Sequence, residues 1–216
     1  MIIIALSNTK VQFKVFGLIF FLIIFSYFTT FCQNQIKIDS LTTVLDDTEI
    51  NETEKLNICR QLLTEYRLNY PEKALEWGQK MLYYAIKINS KVEEANALYA
   101  IGILYDNLGK PDLSVEYYQK ALILYKATNN SEGIGKCYNN IGIIYDQLNK
   151  ANQAISFYKK SLEIGYSLQD SLSVSIILNN LSLIYADLSE ESFKNYGLLN
   201  NEINYLLPQK EVYETL

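Results

Sequence analysis

Histidine is absent from all 216 residues. Its absence removes the commonest general base, the Ser-His-Asp and Cys-His arrangements, and the commonest metal ligand together. Proline occurs three times and glycine nine times, so long uninterrupted helices meet few breakers. Only three cysteines are present. Cys32 lies in a hydrophobic leader, and Cys59 and Cys137 stand about two repeats apart, too far for a disulfide when packed helices are spaced roughly 8–10 Å. They read as small apolar packing residues. Basic residues are outnumbered 19 to 24, for a net charge of −5. The only charges in residues 1–32 are Lys10 and Lys14, so the remainder is more acidic still. Such a body is a poor match for nucleic acid or anionic lipid.

What the chain has in abundance is large rings, 18 Tyr and nine Phe, and they recur with a period. At a spacing of 40, Ile101-Gly102-Ile103 falls on Ile141-Gly142-Ile143 and Tyr105-Asp106 on Tyr145-Asp146. Leu108, Tyr118, Lys120 and Leu122 fall on Leu148, Tyr158, Lys160 and Leu162. One further step reaches Leu178, Leu181, Ser182, Tyr185 and Leu188. A period in this range marks a stacked-repeat architecture, because each unit is too small to bury its apolar face alone. The expected fold is all-α, a right-handed α-solenoid of about four antiparallel helix pairs.

Residues 1–32 form a separate segment. Lys10 and Lys14 precede an apolar run from Val15 to Phe25, and Thr30 and Cys32 would stand at −3 and −1 of a cut before Gln33, the pattern of a secretory signal peptide. An uncleaved membrane anchor through residues 15–31 is the alternative, since 17 residues lie at the short end of a span. Either reading places the repeats outside the cytoplasm: periplasmic, in the cell envelope or secreted, or held at the membrane by that segment.

Residues 33–50 are expected to form a capping helix and turn, with Ile36, Ile38, Leu41, Val44 and Leu45 as its apolar stripe. Repeats follow over about 51–89, 90–129, 130–169 and 170–207, with a tail over 208–216. Asn51 with Glu54 predicts a capping box opening a helix that carries Leu56, Cys59, Leu62, Leu63 and Tyr66. Ser90 with Glu93 predicts another. Pro71 and Pro111 suit the first turn of return helices, Asn130 or Ser131 caps the next, Asn149-Lys150 marks a turn, and Asp170-Ser171 opens the fourth unit. In the first pair the connecting loop is expected to be one residue shorter. Phe193, Tyr196, Leu199, Ile203 and Leu206 can line a last helix before Pro208.

This pattern resembles the tetratricopeptide repeat, with its W-x2-L-G-x2-Y…A-x3-F signature followed by a small residue. Leu98, Ile101, Gly102, Tyr105, Ser114, Tyr118 and Ala121 occupy those places in the second unit. Tyr138, Ile141, Gly142, Tyr145, Ala154, Tyr158 and Ser161 do so in the third. The resemblance covers about residues 52–207. It implies that Gly102 and Gly142 allow close helix approach, with Tyr105 and Tyr145 filling the space beside them. The period of 40 rather than 34 is similar to the longer-helix variants of kinesin light chains and bacterial peptide-responsive regulators, and the family's proline near the end of each unit is missing.

The resemblance implies a concave face built from the first helix of each pair, on which a protein or peptide segment lies. By position that face would present Asn96, Tyr99, Ile103, Asp106 and Asn107 from the second unit. The third would present Lys136, Asn139, Asn140, Ile143 and Asp146, and the fourth Asn179, Asn180, Leu183 and Asp187. Paired Asn side chains offer donors and acceptors to an extended backbone; the alternative is that they tie neighbouring helices together. Lys136 is the single match to the basic clamp of chaperone-binding members. Gly133-Ile134-Gly135-Lys136 resembles the end of a phosphate loop but lacks the first glycine and the following Ser or Thr, and reads as a helix start. Asp106 and Asp146 are too few oxygens for a hard cation. No cofactor, metal or reaction is expected. The function implied is a non-catalytic binding scaffold, a stand-alone adaptor, or else a shortened sensor region of a bacterial membrane histidine kinase or transcriptional regulator, since no segment after Leu207 reads as an effector domain.

Overall fold

A computed structural model describes residues 19–22, 35–45 and 49–187. The signal or anchor segment apart from its turn at 19–22, Cys32, the last expected helix with Phe193 to Leu206 and the tail over 208–216 lie outside the described residues. All regular structure among the described residues is helical: α1 over 35–45, α2 Glu52–Tyr66, α3 Pro71–Lys87, α4 Lys91–Asn107, α5 Pro111–Ala127, α6 Ser131–Gln147, α7 Ala151–Ser167 and α8 Ser171–Asp187. None of them is long and apolar enough to cross a membrane. The chain divides into two compact units, Met1–Ser90 and Lys91–Leu216.

In the first unit, Asn51 and Glu54 form the expected capping box: Asn51 Oδ1 accepts from the Glu54 amide at 3.0 Å, and the Asn51 amide donates back to Glu54 at 3.3 Å. α2 buries Leu56, Ile58, Cys59, Leu62 and Leu63, and α3 answers with Ala74, Gly78, Met81 and Ala85. α1 closes this core through Ile38, with Leu41 and Leu45 beside it. Its stripe is narrower than expected, because Ile36 is 63% and Val44 44% exposed. The first pair is shorter than later ones in its helix, not in its link: α2 has 15 residues where the others have 17, and residues 67–70 join it to α3.

The second unit is built on one repeated length. Helices α4 to α8 each have 17 residues, about 25 Å at 1.5 Å per residue, joined by three-residue turns. Along the chain a residue with φ of +53 to +65° ends a helix every twenty positions: Asn89, Gly109, Asn129, Asn149 and Gln169. Each is followed by a backbone N–H that reaches five residues back, as from Lys110 to Tyr105 at 2.9 Å and Asp170 to Gly165 at 3.0 Å. This is the Schellman closure, and it satisfies carbonyls a helix end would leave open. The next helix opens at once: Pro111 is the first residue of α5, the Asn130 side chain accepts from the Gly133 amide at 2.8 Å, and Asp170 accepts from the Ser173 amide at 3.1 Å.

Close packing within the pairs rests on glycine meeting a ring. A Cβ on Gly102 would approach the Tyr118 ring to 2.7 Å, and one on Gly142 the Tyr158 ring to 2.8 Å. The rings that cover these glycines come from the return helix. Tyr105 instead pairs with Tyr117 at 5.1 Å between centroids, and Tyr145 stacks on Phe157 at 5.4 Å. Ser114, on α5, is fully buried and donates to the Gly102 carbonyl at 2.7 Å, which ties the pair across the same point. Tyr118 and Tyr158, each 1% exposed, anchor clusters with Ile141 and Ile144 and with Leu162, Val174, Ile177 and Leu181. Each such burial contributes roughly 1.5–3 kcal/mol.

Cys59 and Cys137 are buried free thiols. Burial, only partly offset by Lys80 in the case of Cys59, pushes the two up to about 11 and about 12.

Candidate functional site

Helices α4, α6 and α8 are the first members of their pairs, and α6 neighbours both α4 and α8. The expected binding residues all lie on these three helices, but they separate into two groups by what they touch.

One group ties helices together. Asn140 Nδ2 donates to the hydroxyls of Tyr99, at 3.0 Å, and Tyr118, at 3.2 Å, so one amide joins α4, α5 and α6. Asn180, forty residues on, bonds the Tyr158 hydroxyl, while Asn139 stands in the place of Tyr99. Asn96 accepts from the Tyr125 hydroxyl at 2.8 Å and donates to Glu93 at 3.3 Å. Ile103 and Ile143 pack against the Tyr118 and Tyr158 clusters. Asp106 is half-buried, which raises its carboxyl above the ordinary value. Asp146 is half-buried near Tyr158, whose phenol is pushed up to about 12, first by burial and then by that negative charge.

The other group makes no bond from one helix to another through its amides or charges, and all but Asn139 are exposed. Asn107 and Asn179 are exposed, as is Leu183 at 57%. Lys136 is exposed and pairs with Glu132 one turn back. Asn139 donates to Asn140 at 3.5 Å, while its Oδ1 is buried with no hydrogen-bond partner. An acceptor left in that state is destabilising by about 1–3 kcal/mol.

Four of these residues, Tyr99, Lys136, Asn139 and Asn140, line a cleft of about 120 Å³ between α6, α7 and α8. Its other walls were not among the expected binding residues: Glu132 and Gly135 from α6, Ser161, Ile164, Gly165 and Leu168 from α7 and the following turn, Asp170, and Ser173, Ile176 and Ile177 from α8. Asp170 is held below the ordinary carboxylate range by its bonds to Ser173. Sequence comparison by period emphasised positions that agree between units. The signal for this cleft is a disagreement, Gly165 standing where the preceding unit has Tyr125. Among the described residues no group of three or more Cys, Asp or Glu side chains is arranged to hold a metal ion.

Residues 93–167 match the family described as tetratricopeptide repeat, over the segment in which Gly102–Tyr118 and Gly142–Tyr158 form the paired contacts. Within that segment the chain carries tetratricopeptide repeats. Solved tetratricopeptide-like structures share its fold. BtubC from P. vanneervenii is 20% identical, with a TM-score of 0.60 over 72% of this chain and 64% of that one. The Rap conjugation gene regulator of plasmid pLS20, solved in complex with the Phr* peptide, is 20% identical, with a TM-score of 0.60 over 79% and 49%. A kinesin light chain protein with nearly identical repeats from Podosopora anserina is 15% identical, with a TM-score of 0.59 over 88% and 90%. The chain thus spans about two thirds of BtubC and half of the Rap regulator. No curated protein sequence matches it.

Proposed function

We propose that this tetratricopeptide-repeat chain is a non-catalytic scaffold that holds a protein or peptide segment along the face of α4, α6 and α8. The observation that carries this reading is the cleft of about 120 Å³ between α6, α7 and α8, lined in part by Tyr99, Lys136, Asn139 and Asn140. Asn179, exposed on α8, extends the same row of amides. An extended backbone bonded by such amides is read without a demand for one sequence. The peptide held by the Rap regulator of the same fold supports a segment of this kind. Selection from a random peptide display library against the chain is expected to enrich binders. The variant Asn139→Ala with Asn179→Ala is expected to lose them while its melting temperature stays unchanged. Equal loss of folding and binding would sink the reading.

Its place of action is proposed to be outside the cytoplasm, on the strength of the basic flank, apolar run and small exit residues of 10–32. Amino-terminal sequencing of the chain recovered from its host tests this: a start at Gln33 supports export with cleavage, and a chain retained whole in the soluble cytoplasmic fraction refutes both export and anchoring.

A further inference from the structure

Helix α8 keeps one face that no described element covers. Leu172, Ile176 and Leu183 are 72%, 48% and 57% exposed, and Ser175, Asn179, Ser182 and Ala186 are exposed beside them. These positions recur in steps of three and four, repeating at seven, which is the seam of two helices packed side by side. At the spacing of 40, Leu172 and Ile176 correspond to Glu132 and Lys136, which stay exposed although α7 and α8 both pack on α6. A return helix behind α8 would therefore leave Leu172 and Ile176 open. Ser182 stands where Gly102 and Gly142 lie under a tyrosine ring, and its Cβ bars an equally close ring. Charge then separates the candidate occupants. Each of α4 to α7 carries both acidic and basic residues, whereas α8 has no charged residue before Asp187, its last. Where two identical faces meet about a two-fold axis, a charge near the axis meets its like, and α8 presents none.

We propose that α8 is a self-association face, on which a second copy of this chain packs antiparallel about a two-fold axis at Asn179. In that register Leu172 meets the second copy's Ala186, Ile176 its Ser182 and Leu183 its Ser175, a large side chain against a small one each time. Polar groups agree with the shape. Ser175 and Ser182 already donate within α8, to the carbonyls of Ser171 at 2.8 Å and Asn179 at 2.7 Å, so burial orphans neither hydroxyl donor. Two Asn179 amides facing each other can each donate and accept. One helix face is smaller than the roughly 800 Å² per partner of a standard interface, so association is expected in the micromolar range. The inference goes beyond the groove reading: a second copy and a bound segment both use Asn179, so each excludes the other at α8.

Sedimentation velocity of the whole chain over a concentration series is expected to show a monomer–dimer equilibrium. Asn179→Asp sets two carboxylates face to face on the axis and is expected to weaken that equilibrium roughly a hundredfold. Its circular dichroism is expected to stay unchanged, because residue 179 is exposed. Asn179→Lys is expected to act alike. An equimolar mixture of the two variants is expected to recover the dimer, which only a contact that brings residue 179 against its own copy can do. A monomeric wild type overturns the proposal and leaves the face to the residues after Asp187 or to another protein. Association that survives Asn179→Asp, as association through residues 1–32 would, overturns it too, and so does a mixture that stays monomeric. These results leave the groove reading standing, whereas a peptide selection that enriches nothing removes the groove and leaves the dimer.

Discussion

The ring of Tyr118 covers Gly102 so closely that a Cβ there would stand 2.7 Å from two ring carbons. Tyr118 is 1% exposed and bounded by Ile141 and Ile144, so it has nowhere to retreat. Gly102→Ala is therefore expected to destabilise the second unit by about 1–3 kcal/mol, the overpacking outweighing the roughly 1 kcal/mol that alanine gains over glycine in a helix. Gly142→Ala is expected to act alike through Tyr158. Urea unfolding checks both; a neutral or stabilising result would mean the pairs tolerate a wider spacing.

Neighbouring asparagines on α6 are expected to behave in opposite ways. Asn140 donates to the part-buried hydroxyls of Tyr99 and Tyr118, so Asn140→Ala removes the partner of both at once and is expected to lower stability by about 1–3 kcal/mol. Asn139→Ala removes an acceptor that has no partner and is expected to be neutral or slightly stabilising. Thermal denaturation of the two variants side by side is the measurement.

Gln169 holds φ at +56° where the other helix ends use Asn or Gly. A side chain of that length gains nothing locally from the left-handed region and bears its steric strain. Gln169→Gly is expected to stabilise by about 0.5–1 kcal/mol, less than the full strain because glycine also loosens the unfolded chain. Gly109→Gln, at +65°, is expected to show the reverse sign in the same assay.

Alkali is expected to unfold the chain over a defined window. Burial raises Cys59 from 9.0 to about 11, Cys137 from 9.0 to about 12 and Tyr158 from 10.0 to about 12. The folded state then holds protons that the unfolded state releases, so their contribution is whole below about pH 9 and is lost as pH climbs from 9 to 12. Melting temperature is expected to be flat between about pH 7 and 9 and to fall steeply above it. Both thiols are expected to resist alkylation at neutral pH until denaturant is added.

The repeat itself was legible because its contacts recur at a fixed spacing: Gly102 with Tyr118 and Gly142 with Tyr158 stand out once the chain is laid over itself at 40. The caps at Asn51, Pro71 and Pro111 were equally plain, since each depends on residues only a few positions apart. Which ring covers each glycine was not legible, because sequence order does not say which helix a side chain crosses to. The sequence leaves open whether the paired asparagines meet a ligand or tie helices together; Asn140 and Asn180 are committed to Tyr118 and Tyr158, while Asn139 and Asn179 are not. Adjacent positions on a helix point about 100° apart, and only packing decides which of two neighbours meets a tyrosine hydroxyl. The cleft was missed because a glycine at 165 carries no pattern until it is set against Tyr125.

Turns spaced at twenty residues make the second unit indifferent to how many pairs it contains. A coding segment of forty codons gained or lost by unequal recombination between the similar stretches at 97–136 and 137–176 would bring every remaining helix back into the same register, with no seam to repair. Copy number is thus a quantity that mutation can change in one event.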